Sequence, residues 1–126
     1  DAPLGASTDT EPDTFYGAVN YLMENLELEY PNAKKIYVTP MHRFNENNLR
    51  GEGFKTKDGP ILKEYVSIII EAAKKHNSIL LDFYNDLGID PNKSEDNKKY
   101  FADGLHPNDL GHEVIADKII SFISKL

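Results

Sequence analysis

The sequence of 126 residues contains no cysteine, and this absence excludes disulfide bonds, thiolate metal sites and a cysteine nucleophile. Basic residues are few: 14 Lys and Arg stand against 21 Asp and Glu, and the net charge of −7 argues against non-specific nucleic-acid binding and against attraction to an anionic membrane. No apolar run reaches the roughly 18 residues of a bilayer-spanning helix. The apolar fraction of 40% and the charged fraction of 28% are typical of a globular chain, and the length corresponds to one domain at most.

Apolar periodicity predicts three helices and two short strands. The first helix follows a loop over residues 1–12, with Asp13 as its N-cap, and apolar residues recur along one face at Phe15, Val19, Leu22, Met23 and Leu26. Residues 35–39 and 78–82 are short β-branched or aromatic runs, which predict buried strands. Between them a second helix begins at Pro60 and continues to His76. A strand, a helix and a strand with short joins predict a βαβ unit with parallel strands.

Two long stretches, residues 40–59 and 86–105, show no sustained period. A structureless stretch of that length in a compact domain is usually functional or disordered. The first stretch is therefore a source of candidate substrate-binding residues, although a solvated loop is the alternative for each of them: His42, Arg43, Phe44, Asn45, Asn47 and Phe54. The second stretch contains a charged run over residues 93–99, which we expect to be solvated.

The most informative stretch reads Asp103-Gly-Leu-His106-Pro-Asn108. A carboxylate three residues before a histidine can hold one imidazole nitrogen and leave the other free to take a proton from a nucleophile. The spacing alone is equally compatible with a turn that caps a helix while His106 is merely exposed. The last helix follows, with Asn108 or Asp109 as its cap, and its predicted buried side consists of Leu110, Val114, Ile115, Ile119, Phe122, Ile123 and Leu126.

The whole phrase, followed by Gly111-His112, resembles the C-terminal block of the SGNH, or GDSL-type, hydrolases. Residues 30–40 and 81–88 are similar to the same family, so that the resemblance spans the whole chain. It implies part of a three-layer α/β/α sandwich with a parallel, flavodoxin-like sheet. It also implies a serine esterase in which Asp103 orients His106 and His106 is the general base. The implied substrate is a carboxylic ester, either an O-acyl carbohydrate or a lipid ester, and no metal or organic cofactor is implied.

The chain departs from this family in one respect. The family's nucleophile lies in a Gly-Asp-Ser turn, and its glycine and asparagine oxyanion donors lie in the next two blocks, none of which has a match among the 126 residues. Two parallel strands would also leave an unpaired edge and uncovered apolar faces. We therefore expect residues 1–126 to be the C-terminal two-thirds of a single domain. Its N-terminal part would supply the serine, and the isolated chain would be inactive.

Two other interpretations remain at this point. The first is a catalytically inactive relative that binds a carbohydrate or a partner. The second is a metal site built from Asp103, His106 and His112, which is disfavoured because six helical residues turn His112 roughly 240° away from His106. We expect His112 to be a packing or capping residue and His76 to face solvent.

Overall fold

A computed structural model of the protein describes residues 3–47 and 60–126. Phe54, Asp58 and Gly59 lie outside these ranges. The elements in chain order are α1 (Phe15–Glu29), β1 (Ile36–Val38), α2 (Leu62–Lys75), β2 (Ile79–Leu81), α3 (Phe83–Asp86), α4 (Ser94–Tyr100) and α5 (Asp109–Ile123). β1 and β2 are neighbours in a small parallel sheet, with α2 in the connection between them. The predicted α/β class is therefore confirmed.

The chain divides into two compact units, which we describe separately. The first comprises Asp1–Thr39 and Asn47–Leu80, and the second comprises Pro40–Glu46 and Leu81–Leu126. Within the described ranges, no helix has the length and the apolar character needed to cross a lipid bilayer.

In the first unit, α1 packs on α2. The buried residues of this contact are Met23, Ala72 and Ala73, and partly buried side chains surround them: Val19, Tyr37 and Leu80. The ring of Phe15 meets that of Tyr65 edge to face, with centroids 4.8 Å apart. Val19 and Met23 of the predicted apolar stripe of α1 are therefore part of a core, whereas Leu22 is exposed.

The N-cap of α1 is Thr14 and not the predicted Asp13. Thr14 has extended backbone angles, and its hydroxyl oxygen accepts a 3.0 Å hydrogen bond from the backbone N–H of Gly17. The carboxylate of Asp9 in turn accepts a bond from the Thr14 hydroxyl and another from the backbone N–H of Ala6. Because the Thr14 hydroxyl both donates and accepts, it links the start of α1 to the preceding loop. The prediction did not include this link.

The second unit has its own apolar cluster. Leu87, Ile89 and Phe101 are its buried members, and α4 packs on α5. Partly buried side chains complete the cluster: Met41, Phe83, Tyr100, Val114 and Ile115. Only part of the predicted face of α5 is involved, because Leu110, Ile123 and Leu126 are exposed.

Two helices lie where none was predicted. Phe83 and Tyr84, expected to continue β2 or to begin a loop, belong to the short α3, whose N-cap Asp82 accepts a 3.2 Å hydrogen bond from the backbone N–H of Asn85. The charged run expected to be solvated contains α4, with acidic residues in its first turn and Lys98 and Lys99 in its last. That charge order complements the helix dipole, and it is a local signal of a helix that apolar periodicity does not contain.

Candidate active site

Asp103 and His106 are joined through their side chains within a tight turn of the second unit. Oδ2 of Asp103 lies 2.7 Å from Nδ1 of His106. Because a carboxylate only accepts, Nδ1 carries the proton of this hydrogen bond. Oδ1 of Asp103 accepts two further bonds, from the backbone N–H of Leu105 at 2.9 Å and from that of His106 at 2.7 Å. The hydrogen bond expected from the sequence is therefore present, and both carboxylate oxygens hold the 103–106 turn together.

The donors around Asp103 favour its ionised form. The backbone N–H of His106, the imidazole of the same residue and the backbone N–H of Leu105, in that order, hold the pKa of the Asp103 carboxyl well below its usual range. Asp103 is thus a carboxylate at neutral pH. A carboxylate hydrogen-bonded to Nδ1 fixes the tautomer of the neutral ring and stabilises the imidazolium form once Nε2 takes a proton.

Residues on both sides clamp the 103–106 turn. Phe101 and Pro107 form an isolated antiparallel bridge, and the backbone N–H of Ala102 donates to the carbonyl of His106 at 2.8 Å. Asn108 closes the loop, because its backbone N–H donates to the Tyr100 carbonyl at 2.9 Å while its side chain caps α5. The predicted cap of the last helix is therefore confirmed as Asn108.

Two glycines let this loop pack closely. Gly104 has a φ of +80°, and a Cβ atom there would lie 2.7 Å from Cβ of Phe44. Gly111, in the first turn of α5, would place a Cβ atom 2.3 Å from the carbonyl oxygen of Tyr100. Gly104 is thus required by its positive φ and by the close approach of Phe44, and Gly111 by the close approach of the Tyr100 carbonyl.

Nε2 of His106 has no hydrogen-bond partner among residues 3–47 and 60–126, and the side chain is 72% exposed. All six serines lie within the described ranges, and none of their hydroxyls bonds to this nitrogen. The hydroxyl of Ser67 donates to the carbonyl of Lys63 inside α2, and that of Ser124 donates to the carbonyl of Ser121. His106 therefore presents an open nitrogen without a serine from these residues beside it.

Four of the predicted substrate-binding residues, His42, Arg43, Phe44 and Asn45, lie in the Pro40–Glu46 segment of the second unit, which contacts the 103–106 turn. The backbone N–H of Phe44 donates to the carbonyl of Gly104 at 2.8 Å. Asn92 also holds the segment: its Oδ1 accepts from the backbone N–H of Asn45, and its Nδ2 donates to the carbonyl of Arg43, both at 3.0 Å. The structure thus brings this segment to the turn, whereas the roles of His42, Arg43, Phe44 and Asn45 stay predictions.

Sequence reasoning missed Glu46, the centre of the segment's side-chain contacts. Glu46 is only 3% exposed, and its carboxylate accepts from Nδ1 of His42 at 2.9 Å, from the backbone N–H of Arg43 at 3.0 Å and from the hydroxyl of Tyr84 at 2.8 Å. Burial, then the hydrogen bond to Glu46 and that carboxylate's charge, raise the pKa of Tyr84 to about 12. The four-residue spacing of His42 and Glu46 was a signal in the sequence that the two side chains could pair. The burial of Glu46, however, depends on Tyr84, which lies 38 positions away.

Comparison with known families bears directly on this site. Residues 4–119 match the family described as GDSL-like Lipase/Acylhydrolase, a range that includes Asp103, His106 and the whole Pro40–Glu46 segment. The chain belongs to this family. The resemblance inferred from residues 103–112 is therefore confirmed. The GDSL-like family is a family of hydrolases.

Two solved structures share the fold of this GDSL-like chain. A crystal structure of a protein from Lactobacillus plantarum is 30% identical, with a TM-score of 0.88, and the match covers 99% of this chain and 60% of that one. A second crystal structure is 28% identical, with a TM-score of 0.86, and the match covers 100% of this chain and 58% of the other. No curated protein matches the chain. The chain thus spans about three-fifths of the length of these neighbours.

The two remaining histidines of the GDSL-like chain are His112 and His76. His112 is exposed on α5, so it does not pack into a core, and the other expected role, capping, stays a prediction. His76 is partly buried and bonded to Asn20, contrary to the expectation that it faces solvent. No group of three or more His, Asp or Glu side chains able to hold a metal ion occurs in the described part of the chain.

Proposed function

We propose that this protein is a serine ester hydrolase in which Asp103 orients the imidazole and His106 is the general base. The observation that carries the proposal is the 2.7 Å contact between Oδ2 of Asp103 and Nδ1 of His106, with Nε2 free of partners in the described residues. In the same proposal, the nucleophilic serine and the oxyanion donors come from sequence outside residues 1–126, because no Gly-Asp-Ser occurs within them.

The proposed reaction has two halves. In the first, Nε2 of His106 takes the serine proton as the serine oxygen attacks the ester carbonyl. The imidazolium then gives that proton to the departing alcohol, and an acyl-serine is left. In the second, His106 takes a proton from water, whose oxygen attacks the acyl carbon, and the proton returns to the serine as the carboxylic acid leaves. Asp103 stabilises the imidazolium in each half.

The test uses the complete gene product that contains residues 1–126. We expect it to hydrolyse p-nitrophenyl acetate and to react with a fluorophosphonate probe, and mass spectrometry should find the probe on a serine outside these residues. His106→Ala should abolish both reactions, because no other group takes the serine proton. His112→Ala is the matched control, since it removes an exposed imidazole six residues away, and it should retain both.

Other outcomes of this experiment would count against the proposal. A folded wild-type protein without hydrolysis or labelling would favour the inactive relative that binds a carbohydrate or a partner. Full activity in His106→Ala would mean that another group is the base.

A further inference from the structure

The buried carboxylate of Glu46 holds a second imidazole in the same way as Asp103 holds the first. Both oxygens of Glu46 lie within 3.1 Å of Nδ1 of His42. Because carboxylate oxygens only accept, Nδ1 of His42 carries the proton, and Nε2 of the neutral ring is an acceptor. The ring lies against that of Tyr84, with centroids 4.0 Å apart. His42 therefore has a fixed tautomer and a restricted orientation.

The Nε2 atom of His42 is available for a ligand. It has no hydrogen-bond partner in the part of the chain that the structure describes, and the side chain is 23% exposed. A buried carboxylate is costly unless its hydrogen bonds are made, and Glu46 makes them with His42, the Arg43 backbone and Tyr84. The arrangement thus secures a half-buried acceptor within a loop.

The position of this acceptor connects it with the proposed catalytic pair. Two residues after His42, Phe44 donates its backbone N–H to the carbonyl of Gly104, which lies inside the 103–106 turn. The side chain of Phe44 touches the same glycine and is half exposed. The segment next to the 103–106 turn therefore offers two groups to a substrate whose ester reaches His106. These are the aromatic ring of Phe44 and the Nε2 acceptor of His42.

We propose that His42 binds a hydroxyl group of the substrate through Nε2, with Glu46 and Tyr84 as the residues that position it. The proposal rests on the function proposed above and assigns the substrate class: a compact ester on a hydroxyl-bearing, carbohydrate-type alcohol. A sugar ring offers hydroxyl donors for His42 and C–H groups for the face of Phe44. An alkyl chain on the same segment would remove water from Nε2 without replacing its hydrogen bond, which disfavours a long-chain lipid ester.

The first test compares two acetyl esters in the complete gene product, an O-acetylated methyl xyloside with free hydroxyls and p-nitrophenyl acetate with none. His42→Ala should raise KM for the xyloside about tenfold, the loss of one hydrogen bond to a polar group, with kcat little changed. KM for p-nitrophenyl acetate should stay within about twofold. His42→Gln, whose side-chain oxygen can accept in place of Nε2, should recover most of the xyloside KM.

A second variant guards against a simple loss of folding. Tyr84→Phe keeps the ring against His42 but removes one donor to Glu46, and it should raise the xyloside KM about threefold, a smaller loss than that of the direct contact. Equal effects of His42→Ala and Tyr84→Phe on both esters, or no effect on either, would overturn the assignment and leave a purely structural Glu46 cluster. The proposed function fails separately, by a wild-type protein that hydrolyses neither ester.

Discussion

The Nε2 atom of His76 lies 2.9 Å from Oδ1 of Asn20, whose residue is fully buried in α1. The amide nitrogen of Asn20 donates to the carbonyl oxygens of Ser7 and Asp9. Since the amide oxygen only accepts, Nε2 of His76 carries the proton of this bond. One side chain thus joins the N-terminal loop, α1 and the end of α2.

Asn20→Ala should therefore destabilise the fold markedly. The change removes the partner of the His76 Nε2 and of the Asp9 carbonyl, whereas the Ser7 carbonyl keeps its bond from Lys75 Nζ. We expect a loss of about 2 kcal/mol in the free energy of unfolding. Asn25→Ala is the control in the same helix, because among the described residues the Asn25 amide bonds only to the carbonyl of Tyr21. It should cost below about 0.5 kcal/mol. Urea unfolding measures both, and equal losses would show that the network contributes nothing.

Gly104→Ala should damage the 103–106 turn, because alanine disfavours the φ of +80° and its Cβ would lie 2.7 Å from Cβ of Phe44. Gly88 provides a matched control, with a φ of +87° and, in the described part of the chain, no contact within 4 Å of the added Cβ. Both substitutions carry the backbone strain of about 1 kcal/mol, and only Gly104→Ala adds the clash, which we expect to cost about 1–2 kcal/mol more. Thermal unfolding of the two variants gives the difference; identical losses would argue that Phe44 moves away freely.

The low pKa of Asp103 predicts a pH dependence of stability. A carboxyl whose pKa is lower in the folded state stabilises the fold at pH values above its unfolded pKa of about 3.9, and this contribution is lost as the pH falls through the folded value. Carbon-13 NMR should find the Asp103 carboxyl midpoint below the ordinary aspartate range. His106→Ala should raise the midpoint only in part, because the two backbone donors remain. A midpoint in the ordinary range for the wild type would contradict the hydrogen-bond geometry.

Asp103→Asn should reduce turnover of the complete gene product by no more than His106→Ala does. The asparagine amide cannot hold the imidazole in the same tautomer, and the corresponding change in a serine protease lowers kcat about 10⁴-fold. The double variant should be little worse than His106→Ala alone, since residues that act as a unit give losses that do not add. Losses that multiplied in the double variant would mean that Asp103 acts independently of His106.

How far the sequence predicts this molecule depends on the distance between the residues involved. The periodicity of α1, α2 and α5 and the apolar runs of β1 and β2 are local, and each element was found near its predicted bounds. The 103–106 turn was predictable for the same reason, because its donors and acceptors lie within three residues.

The misses share the opposite property. α4 has no apolar periodicity that a short window detects, and its place beside α5 depends on tertiary packing. In the sequence, Glu46 is one charged residue of an irregular stretch, and nothing local indicates that it is buried. Its burial depends on Tyr84 of α3, which is distant in sequence and donates a hydrogen bond to it. The exposure of Leu110 and Ile123 on α5 contradicts a pattern-based assignment, because periodicity locates an apolar face but not what covers it.

The Phe101–Pro107 bridge and Asn108 close the loop that carries His106. This closure determines when His106 loses its conformational freedom. A histidine on a freely moving loop would lose rotational freedom in every catalytic cycle, and that loss would add to each activation barrier. Here the bridge and the Asp103 carboxylate restrict His106 when the chain folds. In the reaction proposed above, this ordering is therefore complete before a substrate binds and adds nothing to the activation barrier.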